Sequence, residues 1–119
     1  MNNYKELEVW KRSIKLAVKM YKLTAILPLE EKFGLVSQIN RCAVSIPSNI
    51  AEGCSRTSQK DFSRFLQISL GSAFELETQI EIAKEIGFVN LALHLEIISE
   101  LNVIQKRIQS LKKYVDSQV

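Results

Sequence analysis

Few residues of this chain have the types and spacing that catalysis requires. His94 is the sole histidine, and it stands in a leucine-rich stretch without an evident carboxylate partner. A Ser–His–Asp triad needs a histidine base that a carboxylate orients, and a di-iron bundle needs paired Glu-x-x-His motifs. No glutamate stands three residues before His94. We therefore expect a partly buried, structural histidine and neither kind of catalytic site.

Metal-binding and phosphate-binding motifs are also missing from the sequence. Cys42 and Cys54 have neither CxxC spacing nor paired histidines nearby, so they predict buried free thiols and neither a disulfide framework nor a zinc site. The sequence contains no GxGxxG, P-loop or HExxH motif. We predict a protein without enzymatic activity and without a metal or cofactor.

Basic side chains form the clearest charged pattern. Near the N-terminus they make one stripe at helical spacing, consisting of Lys11, Lys15, Lys19 and Lys22, with Arg12 beside it. Further along, the acidic residues Glu77, Glu81 and Glu85 form a stripe, and the basic residues near the C-terminus are Lys106, Arg107, Lys112 and Lys113. The net charge of +3 decides nothing by itself. The basic stripe is open to two interpretations: a surface for the phosphate backbone of RNA or DNA, or a face that is solvated or paired with acidic side chains.

Hydrophobic periodicity predicts the elements that position these residues. Strand signals are scarce, whereas apolar residues recur at intervals of three and four, so the sequence predicts an all-α protein. The first predicted helix has an apolar seam that reaches Leu27, and it ends before Pro28. The second begins within residues 30–33, is kinked at Pro47 and ends near residues 53–55.

The two later helices have clearer ends. Ser58 and Asp61 fit a capping box at the start of the third helix, and Gly87 closes it. Asn90 can cap the fourth helix, which contains neither Gly nor Pro. Four helices joined by short loops pack antiparallel to their sequence neighbours, so we predict an up-down-up-down antiparallel four-helix bundle. A chain of 119 residues has the usual size of one domain, and residues 1–119 are predicted to form a single one.

The sequence carries no signal for a membrane. Its start contains Lys5, Glu6 and Glu8 and no apolar leader segment. No stretch approaches the roughly 20 apolar residues that a membrane span requires. We expect a cytoplasmic protein with no membrane partner.

Apolar residues exceed what one bundle core can bury. The third helix carries five of them away from its main seam, at Ile68, Leu70, Phe74, Ile82 and Ile86. The first helix has two apolar seams, one with Leu7, Trp10, Ile14, Ala17 and Tyr21 and the other with Val9, Leu16, Met20, Leu23 and Leu27. A monomer would leave several of these side chains exposed, which is typical of a partner interface. The sequence therefore predicts a homo-oligomer.

Several motifs resemble one bacterial protein family. They are Ser-Ile-Pro-Ser-Asn-Ile-Ala-Glu-Gly at residues 45–53, Phe-Ser-Arg-Phe-Leu at residues 62–66 and Leu-Glu-Val-Trp at residues 7–10. With these motifs the chain resembles the four-helix-bundle family of ribosomal RNA intervening-sequence proteins. The resemblance implies a pentameric ring without enzymatic activity that acts as a scaffold for nucleic acid or for a protein bound to it. Related proteins serve diversity-generating retroelements as accessory subunits that contact the reverse transcriptase and nucleic acid.

The residues of the signature have a physical interpretation that is mostly structural. They are Pro47, Asn49, Glu52, Gly53 and Arg56. Pro47 bends the helix and Gly53 allows a close turn. Asn49 and Glu52 lie on one helical face, where they could cap or bridge to Arg56 or Arg41. A hydrogen-bond network is favoured over a ligand site, and nothing in the sequence makes Glu52 catalytic.

These observations lead to one main hypothesis and one alternative. The main hypothesis is a nonenzymatic oligomeric scaffold that binds RNA or DNA weakly through a basic face of four lysines, Lys11, Lys15, Lys19 and Lys22. The alternative is a protein-interaction adaptor, such as an accessory subunit of a reverse transcriptase, that does not itself recognise nucleic acid.

Overall fold

Helices make up most of the chain. The computed structural model describes residues 3–119, and no strand is present in that range. The main helices are α1 (Glu8–Thr24), α2 (Leu35–Cys54), α3 (Gln59–Ile86) and α4 (Leu91–Asp116), and short 3-10 helices at Tyr4–Glu6 and Leu29–Glu31 precede α1 and α2. The prediction of an all-α protein is confirmed. The first two residues of the predicted domain lie outside the described residues.

The predicted ends of α3 and α4 are confirmed. The Ser58 hydroxyl accepts a hydrogen bond from the Asp61 amide at 3.1 Å, and the Asn90 side-chain oxygen accepts one from the Leu93 amide at 2.8 Å. Each cap satisfies an amide that has no partner within the helix. Gly87 follows α3 with φ of 101°, a left-handed conformation that only glycine adopts without strain.

The boundaries of α1 and α2 differ from the prediction. Helix α1 ends at Thr24, three residues before Leu27, because the amides of Ile26 and Leu27 already bond carbonyls only three positions back. This tightened turn leads the chain into Pro28, before which helical geometry is disfavoured. Helix α2 begins at Leu35, two residues after the predicted range of 30–33, because Leu29–Glu31 form a separate 3-10 turn before it. The helix continues through Pro47 and ends at Cys54, within the predicted range of 53–55.

The four helices enclose one aliphatic core. Each helix packs against the next in sequence, and α1 also packs against α4, which closes an antiparallel bundle of 45 × 24 × 20 Å. The residues buried most completely are Leu16, Met20, Ile39, Ile46, Ile50, Leu66, Leu76, Ile80, Ile97, Leu101, Ile104 and Ile108. They come from all four helices, and the predicted four-helix bundle is confirmed.

The exposure of apolar side chains corrects one prediction. On α1 the seam through Leu16 and Met20 is buried, and in the other seam Ala17 is buried while Ile14 and Tyr21 are 38% and 52% exposed, as expected for a single copy. On α3 the prediction for Leu70 was wrong, because Leu70 lies one turn after buried Leu66 and is buried with it. The other four predicted outward residues of α3 are exposed, namely Ile68, Phe74, Ile82 and Ile86.

Polar side chains fix the register between α2 and α3. The Ser69 hydroxyl donates to the Ile46 carbonyl at 2.8 Å, and the hydroxyls of Ser45 and Ser72 lie 2.8 Å apart. Deeper in the bundle, the Gln79 amide donates to the Cys42 sulfur at 3.4 Å. Because these contacts join residues progressively earlier in α2 to residues progressively later in α3, they allow only one antiparallel alignment of the two helices.

Gly53 permits a close approach of α2 to α3. A Cβ atom at this position would lie 2.9 Å from both Phe62 Cδ1 and Phe65 Cβ, which is shorter than carbon atoms tolerate. Gly71 in α3 has no such constraint, since a Cβ atom there would meet nothing within 4 Å. The two helical glycines therefore offer a matched comparison.

We expect Gly53→Ala to destabilise the protein by about 1–3 kcal/mol, because the extra methyl group overpacks the contact with Phe62 and Phe65. Gly71→Ala should instead stabilise it by roughly 0.5–1 kcal/mol through helix propensity. Urea unfolding followed by circular dichroism measures both changes. Equal effects of the two substitutions would contradict the close approach at Gly53.

Asp116 joins the end of α4 to the start of α3. Its carboxylate accepts a hydrogen bond from the Ser63 hydroxyl and another from Lys112 Nζ at 2.9 Å. The Ser63 hydrogen bond, followed by the Lys112 contacts, lowers the pKa of Asp116 below the ordinary 3.8. The ionised form of Asp116 therefore favours the folded state.

We expect the stability difference between the wild type and Asp116→Asn to depend on pH. Because the pKa of Asp116 is lower in the folded state, its contribution is present above pH 3.8 and is lost as the pH falls further. Urea unfolding at pH 7 and at about pH 3 tests this, with Ser63→Ala as a second variant that removes the main cause of the shift. A difference that persists unchanged at the lower pH would contradict the assignment.

Candidate nucleic-acid interface

The basic stripe of α1 divides into exposed and paired members. Lys11, Lys15 and Lys22 are exposed, and none of them forms a salt bridge within residues 3–119. Arg12 is partly covered, and its Nε lies 3.5 Å from Glu8 Oε1. That nitrogen is buried and has no hydrogen-bond partner within residues 3–119, so its contact with Glu8 is an ion pair without a hydrogen bond.

Lys19 forms an ion pair between α1 and α4. Its Nζ lies 2.7 Å from Glu96 Oε1 and 3.8 Å from Glu100 Oε1, both on α4. Helical periodicity places Lys19 on the same stripe as the other lysines, but it cannot show that this position faces α4. The stripe of four lysines therefore does not act as a unit.

Antiparallel packing brings a second set of basic residues beside α1. Lys106 and Arg107 of α4 line an open groove of about 470 Å³ together with Glu8, and both are exposed. The apolar part of the groove comes from Leu7, Val9, Val103 and Leu111. Since Lys19 meets Glu96 and Glu100, earlier residues of α1 face later residues of α4. We call this groove, whose basic residues are Lys106 and Arg107, the α1–α4 groove. Arg12 and Lys15 follow Glu8 at helical spacing on the same side of α1, one and two turns along the helix.

The sequence did not predict that the basic residues of α1 lie close to Lys106 and Arg107, because about 90 residues separate them along the chain. Each set is visible as a run of basic residues at helical spacing. The predicted bundle topology could have indicated this proximity, because antiparallel packing places the start of α1 beside the end of α4.

The signature residues form contacts around the α2–α3 corner. The Asn49 amide donates to the carbonyl and the hydroxyl of Ser45 at 2.8 and 2.9 Å, so it supports the register contact between Ser45 and Ser72. The sequence suggested that Asn49 could contact Arg56 or Arg41, but its hydrogen bonds are to Ser45. Glu52 binds Arg56 at 2.9 Å, one of the two partners considered.

Arg41, the other partner considered, donates to Gln38 on its own helix. Arg56 also lies over the ring of Phe65, 4.6 Å from its centroid, and Arg64 lies at 4.5 Å from the same centroid. Two guanidinium groups therefore contact one aromatic ring, an arrangement that the motif alone did not suggest. Arg56 and Glu52 are occupied with each other at the corner.

His94 has a carboxylate partner that the sequence did not reveal. Its Nε2 lies 3.1 Å from Glu81 Oε2 on α3, and Nδ1 is buried without a partner. Lys84 contacts both Glu81 and Glu85, at 3.1 and 3.4 Å. The hydrogen bond from Lys84, with further contributions from His94, lowers the pKa of Glu81. The expectation that no carboxylate partners His94 was wrong because the partner comes from the neighbouring helix.

Neither cysteine is placed for chemistry. Cys42 and Cys54 are free and buried, as predicted. Burial raises the pKa of both thiols, which disfavours the reactive thiolate. Within residues 3–119, no group of three His, Cys, Asp or Glu side chains is arranged to hold a metal ion. None of the helices in that range is both long enough and apolar enough to cross a membrane.

Comparison with known proteins connects this geometry to a family. The model of the family described as 23S rRNA-intervening sequence protein matches residues 5–110. The chain is also similar to the crystal structure of a protein with unknown function from the S23 ribosomal protein family of Bacteroides thetaiotaomicron. That similarity has a TM-score of 0.82 and 30% sequence identity, and it covers 88% of this chain and 95% of the other. No curated protein matches the chain. Both matches agree with the family that the sequence resembles.

The different positions of Lys19 and Lys15 predict different effects on stability. Lys19→Gln should destabilise the protein by about 0.5 kcal/mol at low salt, because it removes the contacts with Glu96 and Glu100. Lys15→Gln, one turn away and without such a partner, should change the free energy of unfolding by less than about 0.2 kcal/mol. Urea unfolding at low and high salt compares the two. Equal effects would contradict the structural role of Lys19.

Proposed function

Because this chain belongs to the 23S rRNA-intervening sequence protein family, we propose that it is a nonenzymatic, oligomeric helical scaffold that binds the phosphate backbone of RNA or DNA. Binding takes place in the α1–α4 groove. Family membership supports a role connected with nucleic acid, and the distribution of charge on the bundle indicates where the nucleic acid would bind. Each copy in the assembly provides one weak site.

The observation that carries this proposal is the position of Lys106 and Arg107 across the groove from α1. Both are exposed, and within residues 3–119 neither forms a salt bridge. Arg12 and Lys15 lie one and two turns after Glu8, the α1 residue that lines the same groove, and on the same side of the helix. Lys15, Lys106 and Arg107 have no acidic partner within residues 3–119 and can each approach a phosphate, whereas Arg12 is paired with Glu8 and Lys19 with Glu96 and Glu100.

Contacts of this kind bind a backbone and do not read a sequence. Lysine and arginine that neutralise phosphates release counterions, and the resulting affinity falls steeply with salt and depends little on base identity. A few contacts per subunit give weak binding. Repetition of the groove in an oligomer raises the overall affinity through effective concentration, without any new contact.

The nonenzymatic part of the proposal is supported by the environment of the sole histidine. His94 is 9% exposed, and its accessible nitrogen is held by Glu81. Both thiols are buried, and Glu52 is paired with Arg56. The groups that would be needed as base or nucleophile are thus engaged in packing or in ion pairs.

A second candidate function is an adaptor for a protein partner such as a reverse transcriptase. The observation that favours it is the loop between α1 and α2, where Ile26, Leu29 and Phe33 are 78%, 80% and 88% exposed. Such exposure of large apolar residues is typical of a protein contact. The adaptor is the better account if purified reverse transcriptase binds the wild type and not Leu29→Ser/Phe33→Ser, while RNA and DNA do not bind even at low salt.

The proposal predicts how the double variant Lys106→Gln/Arg107→Gln binds nucleic acid. Titration of labelled structured RNA and of duplex DNA by fluorescence anisotropy, at several salt concentrations, gives the affinity and its salt dependence. Loss of two phosphate contacts should reduce the slope of log K against log salt by about 1.8 for duplex DNA. The weakening should be similar for unrelated sequences, because the contacts are to phosphates.

The matched control is Lys32→Gln/Arg41→Gln, which removes the same charge outside the α1–α4 groove. It should leave the slope close to that of the wild type, apart from a small effect of net charge. Equal losses in the two double variants would show that binding follows net charge and not the groove. Absence of salt-sensitive binding by the wild type would exclude the nucleic-acid function itself.

A further inference from the structure

Two faces of the bundle carry opposite charges beside exposed apolar side chains. The first, the α1–α2 face, is a groove of about 610 Å³ that includes Ile14, Val18 and Tyr21 of α1 and Val44 of α2. These residues are 38–52% exposed. Lys22 lines the same groove, and Lys11 lies on the same edge of α1, three turns earlier. The α1–α2 face is therefore apolar with a basic border.

The second face lies between α3 and α4 and is acidic. A groove of about 370 Å³ is lined by Ile82, Ile98, Thr78, His94 and the carboxylates of Glu77 and Glu81. Exposed Phe74, Ile82 and Ile86 extend its apolar surface along α3, and Glu85 continues the acidic stripe. Lys84 is the basic side chain that contacts this stripe, through Glu81 and Glu85. The α3–α4 face keeps an excess of acidic groups.

The two faces match each other in chemistry and in length. Lys11 to Lys22 spans about 16 Å along α1, and Glu77 to Glu85 spans about 12 Å along α3. Ile14, Val18 and Tyr21 recur at helical spacing, as do Phe74 and Ile82. Because α1 and α2 pack together and α3 and α4 pack together, the two faces lie on opposite sides of the same bundle. They cannot meet within one chain.

From this complementarity we infer that the α1–α2 face of one copy docks on the α3–α4 face of the next copy. The inference rests on the oligomeric part of the proposed function and assigns its interface. Contact of two α1–α2 faces would bring lysines together, and contact of two α3–α4 faces would bring glutamates together, so a head-to-tail arrangement is the one that charge favours. A head-to-tail row of copies has an unoccupied α1–α2 face at one end and an unoccupied α3–α4 face at the other, and these two faces meet when the row closes into a ring.

This interface gives the α1 lysines separate roles. Lys11 and Lys22 lie at the contact between copies, whereas Lys15 lies one turn before Lys19, on the side of α1 that faces α4. Assembly and nucleic-acid binding therefore depend on different side chains. Substitutions in one set should leave the other property in place, apart from the avidity that assembly provides.

Two charge-reversal variants test the inference by mixing. One is Glu77→Lys/Glu85→Lys, which leaves the Glu81 contact with His94 intact, and the other is Lys11→Glu/Lys22→Glu. Each should be folded by circular dichroism and should have the monomer mass by light scattering at a concentration where the wild type assembles. An equimolar mixture should form complexes larger than the monomer, in which the two variants alternate, because each altered face then meets a face of opposite charge.

The matched control is Lys32→Glu/Lys60→Glu, which should assemble like the wild type. As a second route to the same interface, Val18→Ser and Ile82→Ser change exposed apolar residues and should each weaken assembly. Folded single variants whose mixture stays monomeric would overturn the inference, as would variants that keep the assembled mass. A monomeric wild type that still binds RNA through Lys106 and Arg107 would overturn the inference and leave the groove proposal standing.

Discussion

The alignment of α2 with α3 is the constraint on which the rest of the bundle depends. Ser69 donates to the Ile46 carbonyl, Ser45 meets Ser72, and a side chain on Gly53 would collide with Phe62 and Phe65. Apolar packing alone tolerates shifts along a helix pair, whereas buried polar groups without partners cost about 1–3 kcal/mol each. These contacts therefore select one register of α2 on α3, and α1 and α4 pack against this pair.

That register determines what each charged residue of the surface can do. Antiparallel packing of α1 on α4 neutralises Lys19 with Glu96 and Glu100, and it sets Lys106 and Arg107 opposite the start of α1. A basic stripe that is uniform in sequence is thus divided among three roles. Lys19 holds two helices together, Lys15 lies on the side of α1 that carries the groove proposed to bind phosphate, and Lys11 and Lys22 border an apolar face.

The sequence could predict what depends on neighbours along the chain and not what depends on rotation between helices. The caps at Ser58 and Asn90 and the turn at Gly87 are local, and they appear as predicted. The partner of His94 and the burial of Leu70 were missed because they depend on which side of α3 faces α4 and the core. Prediction of the α1–α4 groove also required the relative orientation of the helices, since its two sides come from opposite ends of the chain.

Lysine footprinting by chemical acetylation and mass spectrometry, on the assembled wild type with and without RNA, distinguishes the roles of the α1 lysines. We expect assembly alone to slow modification of Lys11 and Lys22, and RNA then to protect Lys15 and Lys106, while Lys32 reacts equally throughout. Protection of Lys11 and Lys22 by RNA, with Lys106 reacting as in the free protein, would contradict the division of the α1 lysines and the location of the nucleic-acid site.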